Sequence, residues 1–414
     1  MPNATLTYAG FNGFAHKTKT GELSLLASGV PVLQAPSLHQ VPQKLDDAEA
    51  KSRKPHVAML VDRKELQTLQ VRSHIETWIA NHLQEKGFLK VSTPLLTAGA
   101  GGAVARPFET VATELADTKL NLRVAPELWL KRLVIGGMGK VYEMGPAFRN
   151  EGVDATHNPE FTICEFYMQF AEIESLMTMT EDLLQGLHAA IMKHSTAQSA
   201  DLDQSILSDE HSSLFTGPFQ RLPFIPTLER EMNRKLPNLD SSNALGSLES
   251  LFNDLNLPLP SNATVPRLLD ALCGHYIEPL CQAPTFITHH PEALSPLSKS
   301  FLCPETNQVV SARAELFILG HEYANMYEEE NSPFEQRRKF EEQLAHRKVD
   351  GEGDGRLEVD ESYLEALEWG LPPTGGWGMG IDRLVMLFTG RKRIGDVLPF
   401  GTLRNVVGLA TRRK

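Results

Sequence analysis

The sequence predicts an α+β fold, a mostly antiparallel sheet with helices set against it. Three observations predict it. Residues 136–170 alternate in strand fashion around a polar centre, Asn150–Pro159, as a long hairpin with a large tip loop does. Ala312–Glu329 is also strand-like. The helix-period stretches stand apart from these strands, with no repeating βαβ order that would signal a doubly wound sheet.

Taken in order, residues 1–60 form short alternating runs. Lys17–Gly21 reads as a turn into the strand Glu22–Leu26, and the charged stretch Gln43–His56 reads as a linker. Val71, Ile75, Trp78, Ile79 and Leu83 then form one apolar stripe. It predicts an amphipathic helix closed by Gly87 at C′, followed by a strand at Phe88–Val91. Helical periodicity returns at about 171–193. Thr196–Pro218 and Pro237–Pro266 are rich in Ser, Asp, Asn and Pro and read as surface insertions. A charged helix is expected at Glu335–His346. The glycine run Gly375–Gly380 is expected to precede a helix starting near Ile381.

Composition narrows the function. The chain has 414 residues and a net charge of −12, which disfavours a general nucleic-acid coater but allows an enzyme with a local basic groove. Cys164, Cys273, Cys281 and Cys303 show no CxxC pairing, which argues against a disulfide scaffold or structural zinc and for a reducing, cytoplasmic setting. No apolar run approaches the ~18 residues a membrane span needs, so no membrane partner is expected.

Three constellations carry chemistry. In the hairpin, Arg149 and Glu151 are expected on one face of one arm, and Glu165 and Tyr167 on one face of the other. The arginine fork suits a phosphate or carboxylate, although a solvated face of cross-strand ion pairs would read the same way. In the second, Asn325, Tyr327 and Glu329 line one face of a strand, as an amine- and carboxylate-bearing ligand requires. Glu315 and Glu322 suit Mg²⁺, which takes one or two carboxylates plus phosphates. The third is Gly375–Arg383, where glycines permit close backbone approach and a helix start offers N–H groups to anions. A fourth segment, Asp350–Gly355 with Leu357 and Glu361, fits an EF-hand loop except for Glu352 at its third position. Because it is single, it reads as a mobile acidic loop.

In this order the constellations resemble the class II aminoacyl-tRNA synthetases, most closely the lysyl-tRNA synthetases. Val71–Lys86 running to Pro94 resembles their dimer-forming first motif. Phe148–Gly152, His157–Phe161 and Glu165–Met168 resemble the second, and Gly376–Arg383 the third. Ala105–Phe108, Ala125–Leu128, Ser295–Leu297 and Gly370–Pro373 are further matches. The resemblance implies a class II synthetase-like antiparallel sheet flanked by helices over 59–414, preceded at 1–58 by a partial OB-fold remnant and linker.

It also implies ATP-dependent activation of lysine as lysyl-adenylate, with ATP and Mg²⁺, in a homodimer. Arg149 would bind the α-phosphate and amino-acid carboxylate, and Arg383 the γ-phosphate. Phe161 would stack on adenine, with Asn158, Arg313 and Gly380 also at ATP. His157 would sit near the phosphates, and Glu151 counts with Arg149, His157 and Arg383 in the catalytic set. Glu315 and Glu322 would hold the metal. Glu127, Glu165, Tyr167, Asn325, Tyr327 and Glu329 would line the lysine pocket, with Glu329 facing the substrate ammonium.

Departures from the family pattern are Ala112-Thr113 in place of a His-Asn pair, Pro146 in the second motif, and Ser332 in place of an aspartate. With only part of an OB-fold expected and few stacking aromatics (Tyr8, Phe11, Phe14), charging of tRNA is expected to be weak and insensitive to the anticodon. The acceptor is therefore either the tRNA acceptor end or another amine, such as a small molecule or a protein lysine.

Overall fold

The computed structural model describes residues 5–29, 32–98, 105–115, 117–196, 214–349 and 359–410. At its centre is an eight-stranded sheet. Its strands are β1 (Leu89–Lys90), β2 (Lys140–Phe148), β3 (Glu160–Gln169), β4 (Gln220–Pro223), β5 (Thr285–Thr288), β6 (Arg313–Ile318), β7 (His321–Glu328) and β8 (Thr374–Gly380). They lie in the order β4-β5-β6-β7-β8-β3-β2-β1. Only the two outer pairs, β4 with β5 and β1 with β2, are parallel. The expected antiparallel α+β architecture is therefore the observed one.

The helices that matter are α1 (Arg63–Glu85), α2 (Glu127–Ile135), α3 (Ile173–Thr196), α4 (Phe224–Met232), α5 (Ala244–Asp254), α6 (Val265–Tyr276), α7 (Pro333–Val349), α8 (Glu361–Glu368) and α9 (Ile381–Thr389). One face of the sheet packs on α1, α3 and α9. There Phe166 stacks on Trp377 at 4.8 Å, and Phe88 meets Phe166 at 4.8 Å. The buried Trp377 Nε1–H donates to Thr180 Oγ1 at 2.9 Å, so the indole leaves no polar atom unpaired in the core. On the opposite face two smaller clusters rise at either end. One joins α4, α5 and α6 over Ile287 and Phe317, and the other joins α2 and α8 around Leu130 and Tyr363. Alternation along the strands produces this division: Phe286 and Leu316 enter the first core, while their neighbours Ile287 and Phe317 enter the second. The open floor between the two end clusters carries the site.

Helix α1 forms as expected and ends with Gly87 at a positive φ of 83°. It begins earlier than the stripe indicated, because Asp62 caps it by accepting from the Lys64 N–H at 3.0 Å. The stripe itself is not left for a partner: Val71, Ile75, Ile79 and Leu83 are buried within the chain, against α3 and the sheet. Trp78 lies over Gly186 of α3, where a Cβ would stand 2.8 Å from the indole. Length of stripe therefore reported depth of core, not a two-fold interface.

Other expectations change as well. Gln43–His56 is not an extended linker but enters the short helices Ala48–Arg53 and Pro55–Val61, with Lys51 bridging Asp62 and Glu65. Pro237–Pro266 is no mere surface insertion, since α5 buries Leu248, Leu251 and Phe252 in the second cluster. Ala312–Glu329 is a hairpin, not one strand, turning at Leu319 and Gly320, both with positive φ. The glycine run is itself strand β8, the sheet's centre. The EF-hand-like residues Asp350–Gly355 and Leu357, most of Thr196–Pro218 and the side chain of Tyr8 lie outside the described residues. At the N-terminus, Gly13–Lys17 pairs with Leu23–Ala27 around the expected turn, leaving Phe11, Phe14, Leu23, Leu25 and Leu26 exposed.

If the α1 stripe is core, Ile75→Ala removes packing that nothing refills, at about 2–5 kcal/mol. Urea denaturation should show that loss, while sedimentation shows the wild-type assembly mass. A change of mass without loss of stability would place Ile75 at an interface instead.

Candidate active site

The floor of the site follows from strand register. Across one row stand Glu315, Asn325, Gly378, Glu165 and Glu143; across a neighbouring row stand Arg313, Tyr327, Gly376, Tyr167 and Val141. Glycine in the central strand of both rows is what lets side chains from either side meet over it. A Cβ on Gly376 would lie 1.9 Å from Glu329 Oε1 and 2.6 Å from the Tyr167 ring. One on Gly378 would already touch Glu165 at 3.4 Å.

At the Gly376 end the cleft closes into a pocket. Glu127, in the first turn of α2, is buried and its Oε1 accepts from Tyr327 Oη at 2.8 Å. Lys131, one turn along α2, donates to the same oxygen at 2.6 Å and pairs also with Glu329. Three rings surround its ammonium, Tyr167, Tyr327 and Tyr363, at 5.8, 5.7 and 5.9 Å. Glu329 Oε1 meets no hydrogen-bond donor among the described residues. Glu165 accepts from Tyr167 Oη at 3.3 Å. Burial, with Glu127 nearby, pushes the Glu165 carboxyl up to about 8. Its cross-strand neighbour Glu143 is neutralised separately by the buried Arg123, at 2.6 Å.

The other end is built for anions. Strand β2 stops at Phe148, so Arg149 and Glu151 stand on the tip loop rather than alternating along an arm. The Arg149 N–H still donates to Pro159 O at 2.8 Å, and the Glu151 N–H turns back to Arg149 O. The Arg149 guanidinium lies 5.1 Å from the Phe161 ring centre, and its buried Nε finds no acceptor among the described residues. Glu151 is exposed at the cleft rim. Arg383 donates to Glu322 O at 2.9 Å and meets His157 Nε2 at 3.0 Å, while His157 Nδ1 lies 2.9 Å from Asp154 Oδ2. Asn158 joins the tip loop to the C-terminal segment, its Oδ1 accepting from the Leu403 N–H at 3.0 Å.

Between the two ends Arg313 donates to Asn325 Oδ1 at 3.0 Å and pairs with Glu315, which also meets His290 Nε2 at 3.0 Å. Burial works against the Glu315 charge, yet Arg313 and His290 hold its carboxyl down at about 2. Enclosure and the nearby Glu315 push Glu322 up to about 7. Two carboxylates on adjacent strands, one held charged and one raised by its neighbour, fit a hard divalent cation. Among the described residues no group of three or more His, Cys, Asp or Glu could hold a metal, so such a cation would draw further oxygens from a phosphate ligand.

All the expected site residues thus line one cleft of about 2680 Å³, apart from Glu329, which is wholly buried behind it beside Lys131 and Gly376. Sequence reading missed Lys131, Tyr363, His290 and Asp154. Lys131 falls at i+4 from Glu127, one turn apart on what the structure shows to be helix α2, and that spacing was the available signal.

Residues 47–404 match the family model of tRNA synthetases class II (D, K and N). The chain belongs to that family. It is 42% identical over 401 residues to the mitochondrial lysine–tRNA ligase of Schizosaccharomyces pombe, covering 95% of this chain and 72% of the relative. A probable cytoplasmic lysine–tRNA ligase of Encephalitozoon cuniculi is 40% identical over 400 residues (95% and 77%), and the lysine–tRNA ligase of Enterococcus faecalis 37% over 400 (96% and 76%). The departures at Ser332 and Pro146 are structurally accommodated in this class II synthetase. Ser332 Oγ accepts from the Glu335 N–H at 3.3 Å at the start of α7, and the Pro146 carbonyl accepts from Arg123 Nε at 2.9 Å.

The raised Glu165 carboxyl has a stability consequence. Its folded-state value lies above the ordinary carboxylate range, so the folded chain holds the proton more tightly than the unfolded chain. Stability from this group is present below about pH 4.5 and is lost as pH rises through about 8. Glu165→Gln, which mimics the protonated form, should raise the melting temperature more at pH 8.5 than at pH 5. An equal shift at both values would contradict the assignment.

Proposed function

We propose that the chain activates lysine with ATP, forming lysyl-adenylate and pyrophosphate, and passes the lysyl group to tRNA. The observation that carries this reading is the pocket of Glu127, Glu165 and Glu329 lined by Tyr167 and Tyr327, opening onto an anion end with the unpartnered Arg149 Nε. Buried carboxylates select an ammonium-bearing side chain, because an uncharged analogue would leave a buried charge unpaired. The names of the three relatives support lysine and tRNA as substrates.

In this reading Arg149 holds the amino-acid carboxylate beside the α-phosphate. A lysine carboxylate oxygen attacks the α-phosphorus, the bond to the bridging oxygen breaks, and pyrophosphate leaves with those electrons. No side chain needs to remove a proton, since the nucleophile is already an anion; the work is positioning and charge neutralisation. Arg383, set by Glu322 and His157, would meet the γ-phosphate, and Phe161 would offer a face to the adenine. Asn158, Arg313 and Gly380 complete the proposed ATP contacts, and Glu151 stands at the rim. Glu315 and Glu322 would hold Mg²⁺, which supplies charge neutralisation to the phosphate chain. A homodimer is proposed on family grounds alone, the α1 stripe being internal. Four buried free cysteines and the Encephalitozoon relative's name support a cytoplasmic location. No helix among the described residues is long and apolar enough to cross a membrane.

ATP–pyrophosphate exchange across the common amino acids should peak with lysine, and labelled lysine should appear on tRNA. Glu329→Gln should lower kcat/KM for lysine by about 10²–10³-fold, the cost of leaving one member of a buried ion pair alone, with the KM for ATP little changed. Strongest exchange with an uncharged amino acid would sink the proposal.

A further inference from the structure

Lys131 is an unexpected occupant of a pocket proposed to receive an ammonium group. It is wholly buried on α2, bonded to Glu127, paired with Glu329 and enclosed by Tyr167, Tyr327 and Tyr363. The residue that should bind the ligand's side-chain cation already has a cation of its own. Yet Glu329 Oε1 lacks a donor among the described residues, so Lys131 alone does not satisfy the carboxyl.

Charge counting gives this arrangement a purpose. Glu127, Glu165 and Glu329 bring three carboxyl groups into one enclosure against a single internal cation, Lys131. Burial pushes the Glu165 and Glu329 carboxyls up, so up to two negative charges appear only when a bound cation displaces their protons. A free diamino acid carries two ammonium groups, and its own carboxylate goes to Arg149 at the other end. We infer that Lys131 is a positioning and specificity-determining residue: a fixed internal counter-ion that aims Glu127 and Glu329 and offsets one carboxylate, so that the pocket's remaining charge matches a ligand with two ammonium groups. This inference rests on the proposed lysine reading and deepens it.

The surroundings leave the task to Lys131. Strand β3 presents Glu165 and Tyr167, β7 and its end present Tyr327 and Glu329, α8 presents Tyr363, and β8 presents only glycines. Arg149, on the tip loop, is near enough to favour the charged form of Glu165. The neighbouring buried pair Glu330–Lys339, at 2.8 Å, satisfies itself. Burial opposes the charge on Lys131, but Glu127 and Glu329 more than offset it and hold the ammonium protonated.

The test uses Lys131→Met and Lys131→Gln in lysine-dependent ATP–pyrophosphate exchange from pH 6 to 9.5. The wild type should show a KM for lysine that falls as pH rises, as the pocket's carboxyl protons leave. Without the internal cation the carboxylates hold protons to higher pH. Both variants should therefore raise the KM for lysine at least tenfold at pH 7 and recover at least half of that by pH 9.5, with the KM for ATP unchanged. A structural role would instead be rescued by glutamine, which still donates to Glu127, or would lower kcat equally at every pH; either result overturns the inference. If neither variant folds, the wild type decides. Lysine binding should release protons in calorimetry across two buffers, whereas norleucine, which lacks the second ammonium, should bind more tightly as pH falls. Absence of that opposition overturns the charge-matching. Lack of any lysine-dependent exchange by the wild type would instead sink the lysine reading itself.

Discussion

A carboxylate taken out of water must be paired, protonated or bound to a cation, and this chain buries Glu127, Glu143, Glu165 and Glu329 on one side of one sheet. Each meets the requirement differently. Glu143 has Arg123, Glu127 has Lys131 and a tyrosine hydroxyl, Glu165 keeps a proton, and Glu329 shares Lys131 while one oxygen goes without a donor. The unfinished part of this charge balance is the binding site. A pocket with all its charges satisfied internally would have no reason to prefer a charged ligand.

Holding these groups at fixed spacing is the task of the sheet. Gly376 and Gly378 remove the side chains that would separate β3 from β7, and Trp377 between them anchors the same strand in the opposite core through Phe166 and Thr180. Specificity and stability thus alternate residue by residue along one strand. Asp382, just beyond it, accepts from the Thr162 N–H at 2.8 Å and pairs with Arg72 of α1, tying hairpin, helix and central strand together.

The anion end is less rigidly framed. Arg149, Glu151, His157 and Asn158 lie on a tip loop anchored by the Arg149 amide on Pro159 O, the Asn150 amide on Arg106 O at 2.7 Å, the Ile394 amide on Ala155 O at 2.7 Å, the Leu403 amide on Asn158, and Arg383 on His157. Arg149, His157 and Asn158, proposed to meet the polyphosphate, stand on a loop, while the groups proposed to discriminate the amino acid stand on paired strands and the first turns of α2. That division follows from the different precision each task demands.

The sequence by itself determined the α+β class, the hairpin, helix α1 and the set of residues that line the cleft, because alternation, stripe periodicity and ordered motifs are local signals that survive without a partner. It could not determine what those signals packed against. The α1 stripe looked like an interface and is core, since exposure depends on α3 and the sheet arriving from far along the chain. The glycine run was legible as the segment before helix α9 but not as the central strand, since only pairing with β3 and β7 explains glycines opposite Glu165 and Tyr167. Lys131 carried no signal in the sequence beyond its i+4 spacing from Glu127. Tertiary structure alone brought Glu329 from nearly two hundred residues away to share its charge, and buried charge is a property of that meeting, not of either segment.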